Sequence, residues 1–121
     1  QVSRGVNHMA GLALLQVRDV LNAWVSRDAA KAVAVRSRDG EIDALYNSLF
    51  RELLTYMMED PRSITMATHL LFCAKNIERI GDHATNIAET IYYLVTGNRL
   101  TGEREKDDSH NSAPVPFGPA V

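Results

Sequence analysis

The chain has 121 residues, 45% of them apolar and 23% charged, which is enough for a single globular domain with a modest core. Its 13 basic and 15 acidic side chains give a formal net charge of −2. That balance argues against nucleic acid as a partner, because binding to phosphates needs an excess of positive charge. The apolar runs are far shorter than the roughly 20 residues that a membrane-spanning helix needs.

Two further features bear on the cellular compartment. No basic start leads into an apolar stretch, so no secretory signal is recognisable, and the absence of an initial Met indicates a piece of a longer protein. The single cysteine, Cys73, excludes an internal disulfide and suits a reducing environment. We therefore expect a cytoplasmic protein without direct membrane insertion. The apolar neighbours of Cys73 predict a buried thiol.

The first half of the chain predicts two helices. Apolar residues recur at intervals of three and four between Ser3 and Ser26, which is typical of a helix with one apolar face. Asp28 is a natural N-cap for a second helix over residues 29–59, which Gly40 weakens locally. The apolar rows are Val6, Ala10, Ala13, Val17, Val20 and Trp24 on the first helix, and Val33, Ile42, Leu45, Leu49, Leu53 and Met57 on the second.

A third helix follows, and then the composition changes. Asp60 can cap it, Pro61 fits its first turn, and Gly97 predicts its end. Residues 102–121 combine a charge run with three prolines, so we expect a disordered tail there. Residues 1–101 are thus predicted to form an all-α, antiparallel three-helix bundle. The third apolar row is Ile64, Ala67, Leu71, Ala74, Ile77, Ala84, Ile87, Ile91 and Leu94.

Two pairs of carboxylates are candidates for a metal site. Asp39 and Asp43 are four residues apart on the second helix, and Glu78 and Asp82 are four apart on the third, so each pair shares one face of its helix. Asp43 lies 17 residues before Asp60 and Glu78 lies 17 residues after Pro61, which places the two pairs at nearly the same height. Like charges so close together repel unless a cation lies between them.

The residues alone leave other interpretations open. The acidic pairs can equally belong to a solvated face of a purely structural bundle. A carboxylate-bridged metal-binding protein or metalloenzyme is a further alternative, although a di-iron enzyme needs Glu-x-x-His and position 81 is Gly. No Ser/His/Asp or Cys/His pattern and no phosphate-binding glycine loop is present, so we expect no catalytic turnover.

One long motif resembles a known family. Residues 76–89 read NIERIGDHATNIAE and residues 93–97 read YLVTG, and together they closely resemble the PhoU family of accessory regulators of phosphate-specific ABC transport. Residues 39–46, DGEIDALY, look like the family's second signature on the preceding helix. The resemblance extends over residues 3–100 or so, and the motif of the third helix is specific.

The resemblance implies a function. Members are cytoplasmic all-α proteins that repress the phosphate-starvation regulon when phosphate is plentiful, by bridging the ATPase subunit of the phosphate ABC transporter and a sensor histidine kinase. Some members bind iron, zinc or other metal clusters through acidic motifs. Carried over by position, the metal ligands here are Asp39, Asp43, Glu78 and Asp82, with Asn86 as a possible accessory ligand.

The resemblance also has one departure. Family members contain two similar three-helix bundles, whereas this chain holds one, and its YLVTG ending matches the C-terminal bundle. A single bundle is expected to expose the apolar surface that the second would cover. We therefore expect this chain to form a homodimer.

Overall fold

The protein is a bundle of helices. The computed structural model describes residues 2–100, and the predicted tail, residues 102–121, lies outside that range. The chain reverses direction after α1 and again at a short 3-10 turn, so α2 and α3 together form one arm that packs against both α1 and α4. The all-α antiparallel bundle is therefore confirmed. The helices are α1 (Val2–Ser26), α2 (Ala29–Ser37), α3 (Asp39–Glu59) and α4 (Ile64–Thr96), and the 3-10 turn is Pro61–Ser63.

Local signals at the helix ends act as the sequence predicts. The Asp28 carboxylate accepts a hydrogen bond from the Lys31 backbone N–H at 3.0 Å and so caps α2. The Asp60 carboxylate accepts one from the Arg62 N–H, also at 3.0 Å, at the turn before α4. Gly97 ends α4 in the left-handed conformation (φ 76°), which glycine adopts without steric cost.

The second arm is broken at Arg38, two residues before the predicted weak point at Gly40. The Arg38 backbone N–H bonds to the Val35 carbonyl at 3.2 Å, which ends α2 in a tight turn, and α3 begins at the next residue. The Arg38 side chain forms an ion pair with Asp19 of α1. Tertiary contacts with α1 thus decide where the arm bends, and Gly40 lies inside α3.

Two apolar clusters form the core, one toward each end of the bundle. The lower core joins α1, α3 and α4 and holds the larger side chains, whereas the upper core joins α1, α2 and α4 and is rich in alanine, which lets helices approach closely. The lower core consists of Met9, Ala13, Ile42, Leu49, Leu53, Ala67 and Ala74, and the upper core of Val20, Ala23, Ala32, Val35, Ala84, Ala88 and Ile91.

A layer of buried polar side chains lies between the two cores. We call Gln16, Asp39, Asp43, Glu78 and Thr85 the polar layer, and all of them are at most 6% exposed. Every arm of the bundle contributes to it, because Gln16 lies on α1, the aspartates on α3 and the others on α4. Buried carboxylates cost free energy unless their charge is compensated, so this layer demands an explanation that the apolar cores do not.

Part of the predicted apolar surface faces outward. Cys73 is exposed, so the predicted buried thiol is wrong. The cause is helical phase, because Cys73 belongs to a row spaced by seven residues along the outer face of α4. That exposed row is Met66, Cys73, Ile80, Ile87 and Leu94, and the predicted core residues Trp24, Val33 and Ile64 are also exposed. None of the helices between residues 2 and 100 combines the length and the apolarity needed to cross a membrane.

Candidate metal centre

The antiparallel seam between α3 and α4 sets the geometry of the site. Successive turns of α3 meet successive turns of α4 in reverse order, and the positions facing each other keep a constant register. Gly81 makes this approach possible, since a Cβ there would lie 2.8 Å from the Ile42 Cδ1 atom. In order along the seam, Asp39 faces Thr85, Ile42 faces Gly81, Asp43 faces Glu78 and Asp82, and Tyr46 faces Lys75.

Three carboxylates converge on this seam. Asp43, Glu78 and Asp82 each place an oxygen within 4.8 Å of the other two, and we call this set the carboxylate cluster. Asp43 and Glu78 are buried at 4% and 6% exposure, and Asp82 is half-buried. Two of the three come from consecutive turns of α4 and the third from α3, as their equal distance from the turn at Asp60 and Pro61 predicts.

Asp39, the fourth predicted ligand, is not part of the carboxylate cluster. It is buried at 1% exposure, one turn before Asp43 on α3. The Thr85 hydroxyl donates a hydrogen bond to Asp39 Oδ1 at 3.0 Å and also lies 3.1 Å from the Gly81 carbonyl oxygen. Asn86, the possible accessory ligand, is exposed, and its backbone carbonyl accepts a hydrogen bond from Thr90.

A lysine compensates part of the negative charge. Lys75 Nζ lies 2.9 Å from Glu78 Oε1 and 5.4 Å from the ring centroid of Tyr46 on α3. A search for cations four residues from each carboxylate misses this pair, because Lys75 precedes Glu78 by three residues. The lysine is 41% exposed, so solvent weakens its attraction for the buried carboxylate.

Sequence reasoning also missed the polar residues that support the cluster. Gln16 is 2% exposed, and its side-chain amide donates to the Val35 carbonyl at 2.7 Å, next to the break between α2 and α3. The available signal was a polar residue at a core position of α1, between Ala13 and Val20. Thr85 gave a weaker signal, because threonines in helices commonly bond to their own backbone.

The carboxylate cluster fits a hard metal cation. Oxygen ligands of one cation lie roughly 2.0–2.6 Å from it, so they lie within about 5 Å of one another, as these three oxygens do. Carboxylate oxygens suit hard cations, whereas zinc sites in proteins more often contain cysteine or histidine. Within residues 2–100 no histidine joins this group, and His69 and His83 are exposed.

Fold and site together define a class: a helical bundle with a buried carboxylate cluster between two of its helices. The comparison with known families is specific, because residues 6–91 match the family model described as the PhoU domain. The chain belongs to the PhoU family.

The most similar relatives carry the same description. The chain is 68% identical over 108 residues to the "Phosphate-specific transport system accessory protein PhoU homolog" of Rhizobium meliloti (strain 1021), covering 89% of this chain and 46% of the relative. It is 54% identical over 107 residues to the protein of the same name from Caulobacter vibrioides (strain NA1000 / CB15N), covering 88% of this chain and 46% of the relative. The chain thus spans about half the length of the curated relatives it matches.

A solved structure shows the same fold. The crystal structure of PhoU from Pseudomonas aeruginosa superimposes with a TM-score of 0.74 at 41% sequence identity. The match covers 76% of this chain and 44% of that chain.

Proposed function

We propose that this chain is a regulatory module of a phosphate-specific transport system. In this proposal it contacts the ATPase subunit of the phosphate ABC transporter and a sensor histidine kinase, and it represses the phosphate-starvation regulon when phosphate is plentiful. Membership of the PhoU family carries the proposal, since the relatives are named as accessory proteins of phosphate-specific transport. Such an adaptor acts in the cytoplasm, where the ATPase subunit of an ABC transporter lies.

We further propose that the carboxylate cluster holds a metal ion through Asp43, Glu78 and Asp82. Its oxygen donors favour iron over zinc among the two metals expected from the family resemblance. A bound cation would supply positive charge between carboxylates that otherwise repel one another. Because Asp43 and Glu78 are buried, the ion's role is to stabilise the seam between α3 and α4 rather than to present a docking surface.

A non-enzymatic role accords with this arrangement. The relatives are described as accessory proteins rather than by a reaction. The alternative, a carboxylate-bridged metal store or metalloenzyme, rests on the same three side chains. Reversible oxidation and reduction of a bound iron with turnover of a substrate would favour that alternative, whereas retention of a single redox-silent ion would favour the adaptor.

The homodimer stays a prediction. The outer row of α4, from Met66 to Leu94, exposes apolar side chains at intervals of seven residues, and Ile80 and Ile87 are 46% and 47% exposed. Such spacing is typical of a helix that packs along another helix. A second copy of this chain offers the same row and would cover it by twofold symmetry.

Binding to purified partners tests the regulatory role. The chain would be immobilised and presented first with the transporter's ATPase subunit and then with the cytoplasmic part of the sensor kinase. We expect saturable binding of at least one of them. A variant with the exposed substitutions Glu41→Gln and Glu59→Gln is a control for lost surface charge. Absence of binding to both partners, by a chain that is folded by circular dichroism, would contradict the adaptor role.

A further inference from the structure

The buried carboxylate of Asp39 has a different environment from that of Asp43, one turn along α3. Asp39 accepts a hydrogen bond from the Thr85 hydroxyl, whereas Asp43 lies with Glu78 and Asp82 in the carboxylate cluster. A carboxylate engaged with a threonine hydroxyl is a typical outer support of a metal site, since such groups orient the residues that touch the ion.

The Thr85–Asp39 contact lies where it can fix the start of α3. The break at Arg38 precedes Asp39 directly, so the first turn of α3 cannot take its position from a continuous helix. Long-range polar contacts hold the break from both sides. Gln16 of α1 donates to the Val35 carbonyl, and Arg36 forms an ion pair with Glu89 of α4 at 2.9 Å.

We propose that Asp39 is a positioning residue rather than a metal ligand: together with Thr85 it locks the first turn of α3 onto α4, and this lock places Asp43 between Glu78 and Asp82. The inference rests on the proposed metal site for its effect on affinity, but the lock itself exists without metal. It assigns different roles to the two aspartates of the same motif.

Substitutions that keep or remove the acceptor separate the two roles. Asn at position 39 retains an oxygen that can accept from Thr85, so Asp39→Asn should bind Mn²⁺, a redox-stable hard cation, within a few-fold of the parent. Thr85→Val and Asp39→Leu remove the hydrogen bond and should each weaken Mn²⁺ binding about tenfold, as loss of an outer support typically does. Asp43→Asn removes a ligand and should weaken binding more than either of them.

Titration calorimetry with Mn²⁺ on the full chain measures these affinities. Thr90→Val is the matched control, since Thr90 lies on the same helix and its hydroxyl bonds only to the Asn86 carbonyl in the described hydrogen bonds. A ligand role for Asp39 would be revealed if Asp39→Asn lost as much affinity as Asp43→Asn while Thr85→Val lost none. That pattern would overturn the inference.

Hydrogen exchange of the metal-free chain tests the lock independently. Thr85→Val should speed exchange of the backbone amides in the first two turns of α3, and Thr90→Val should leave them unchanged. Equal exchange in the two variants would overturn the lock. If the parent chain binds no Mn²⁺ and no iron, the proposed metal site fails, and the exchange experiment still decides whether Thr85 and Asp39 hold α3 in place.

Discussion

The lower core and the polar layer are built on the same helices yet obey different rules. Ile42 and Asp43 are adjacent in sequence, and both are buried, at 2% and 4% exposure. Burial of an apolar side chain such as Ile42 contributes roughly 1.5–3 kcal/mol to stability. Burial of a carboxylate costs free energy and is recovered only through compensating charge or hydrogen bonds. The cores therefore account for folding, and the polar layer is the part that folding alone does not require.

The largest effect that distinguishes the two regions is expected in the lower core. Leu53 is 2% exposed, so Leu53→Ala leaves a cavity and should lower the free energy of unfolding by about 2–5 kcal/mol. Chemical denaturation monitored by circular dichroism measures this change. The neighbouring Leu54 is 40% exposed, and Leu54→Ala is the control with a small expected effect.

The same variant should leave the polar layer intact. Under conditions where Leu53→Ala is folded, its affinity for Mn²⁺ should match that of the parent, because Leu53 lies more than two helical turns from Asp43 along α3. A large loss of Mn²⁺ affinity in the folded variant would show that the two regions do not act separately.

A smaller effect is expected at Lys75, which links the carboxylate cluster to solvent. Lys75→Met removes the cation beside Glu78 and should lower the stability of the metal-free chain by about 0.5 kcal/mol, since the pair is partly exposed. Because Lys75 competes with a metal ion for the same carboxylate, Mn²⁺ affinity should rise about twofold, the equivalent of that free energy.

Titration calorimetry and thermal unfolding measure the two changes in the same sample. Lys75→Arg retains the charge and is the matched control. A fall in Mn²⁺ affinity on Lys75→Met would contradict the competition and would indicate that the lysine helps to shape the site.

Much of the fold followed from local signals. The ends of the helices depend on residues that act on their own backbone, such as Asp28, Asp60 and Gly97, and a sequence displays these directly. The common height of Asp43 and Glu78 followed from counting residues on either side of one turn, because the rise per residue of a helix is constant.

The remaining features depend on how each helix is rotated about its axis. α4 has apolar residues on more than one face, so the row containing Cys73 and Ile87 could not be separated from the core row by pattern alone. The break at Arg38 depends on contacts with α1 that are 19 residues away in sequence. The separate environment of Asp39 depends on Thr85, which lies 46 residues away.

Iron content tests the central claim, that the carboxylate cluster is a metal site, most directly. The purified chain would be loaded with Fe²⁺ without oxygen, desalted and analysed for metal beside two variants, Glu78→Gln/Asp82→Asn and the exposed control Glu41→Gln/Glu59→Gln. The account predicts that the parent and the control retain iron while the cluster variant, still helical by circular dichroism, retains none. Equal iron content in all three proteins, or none in the parent, would contradict it.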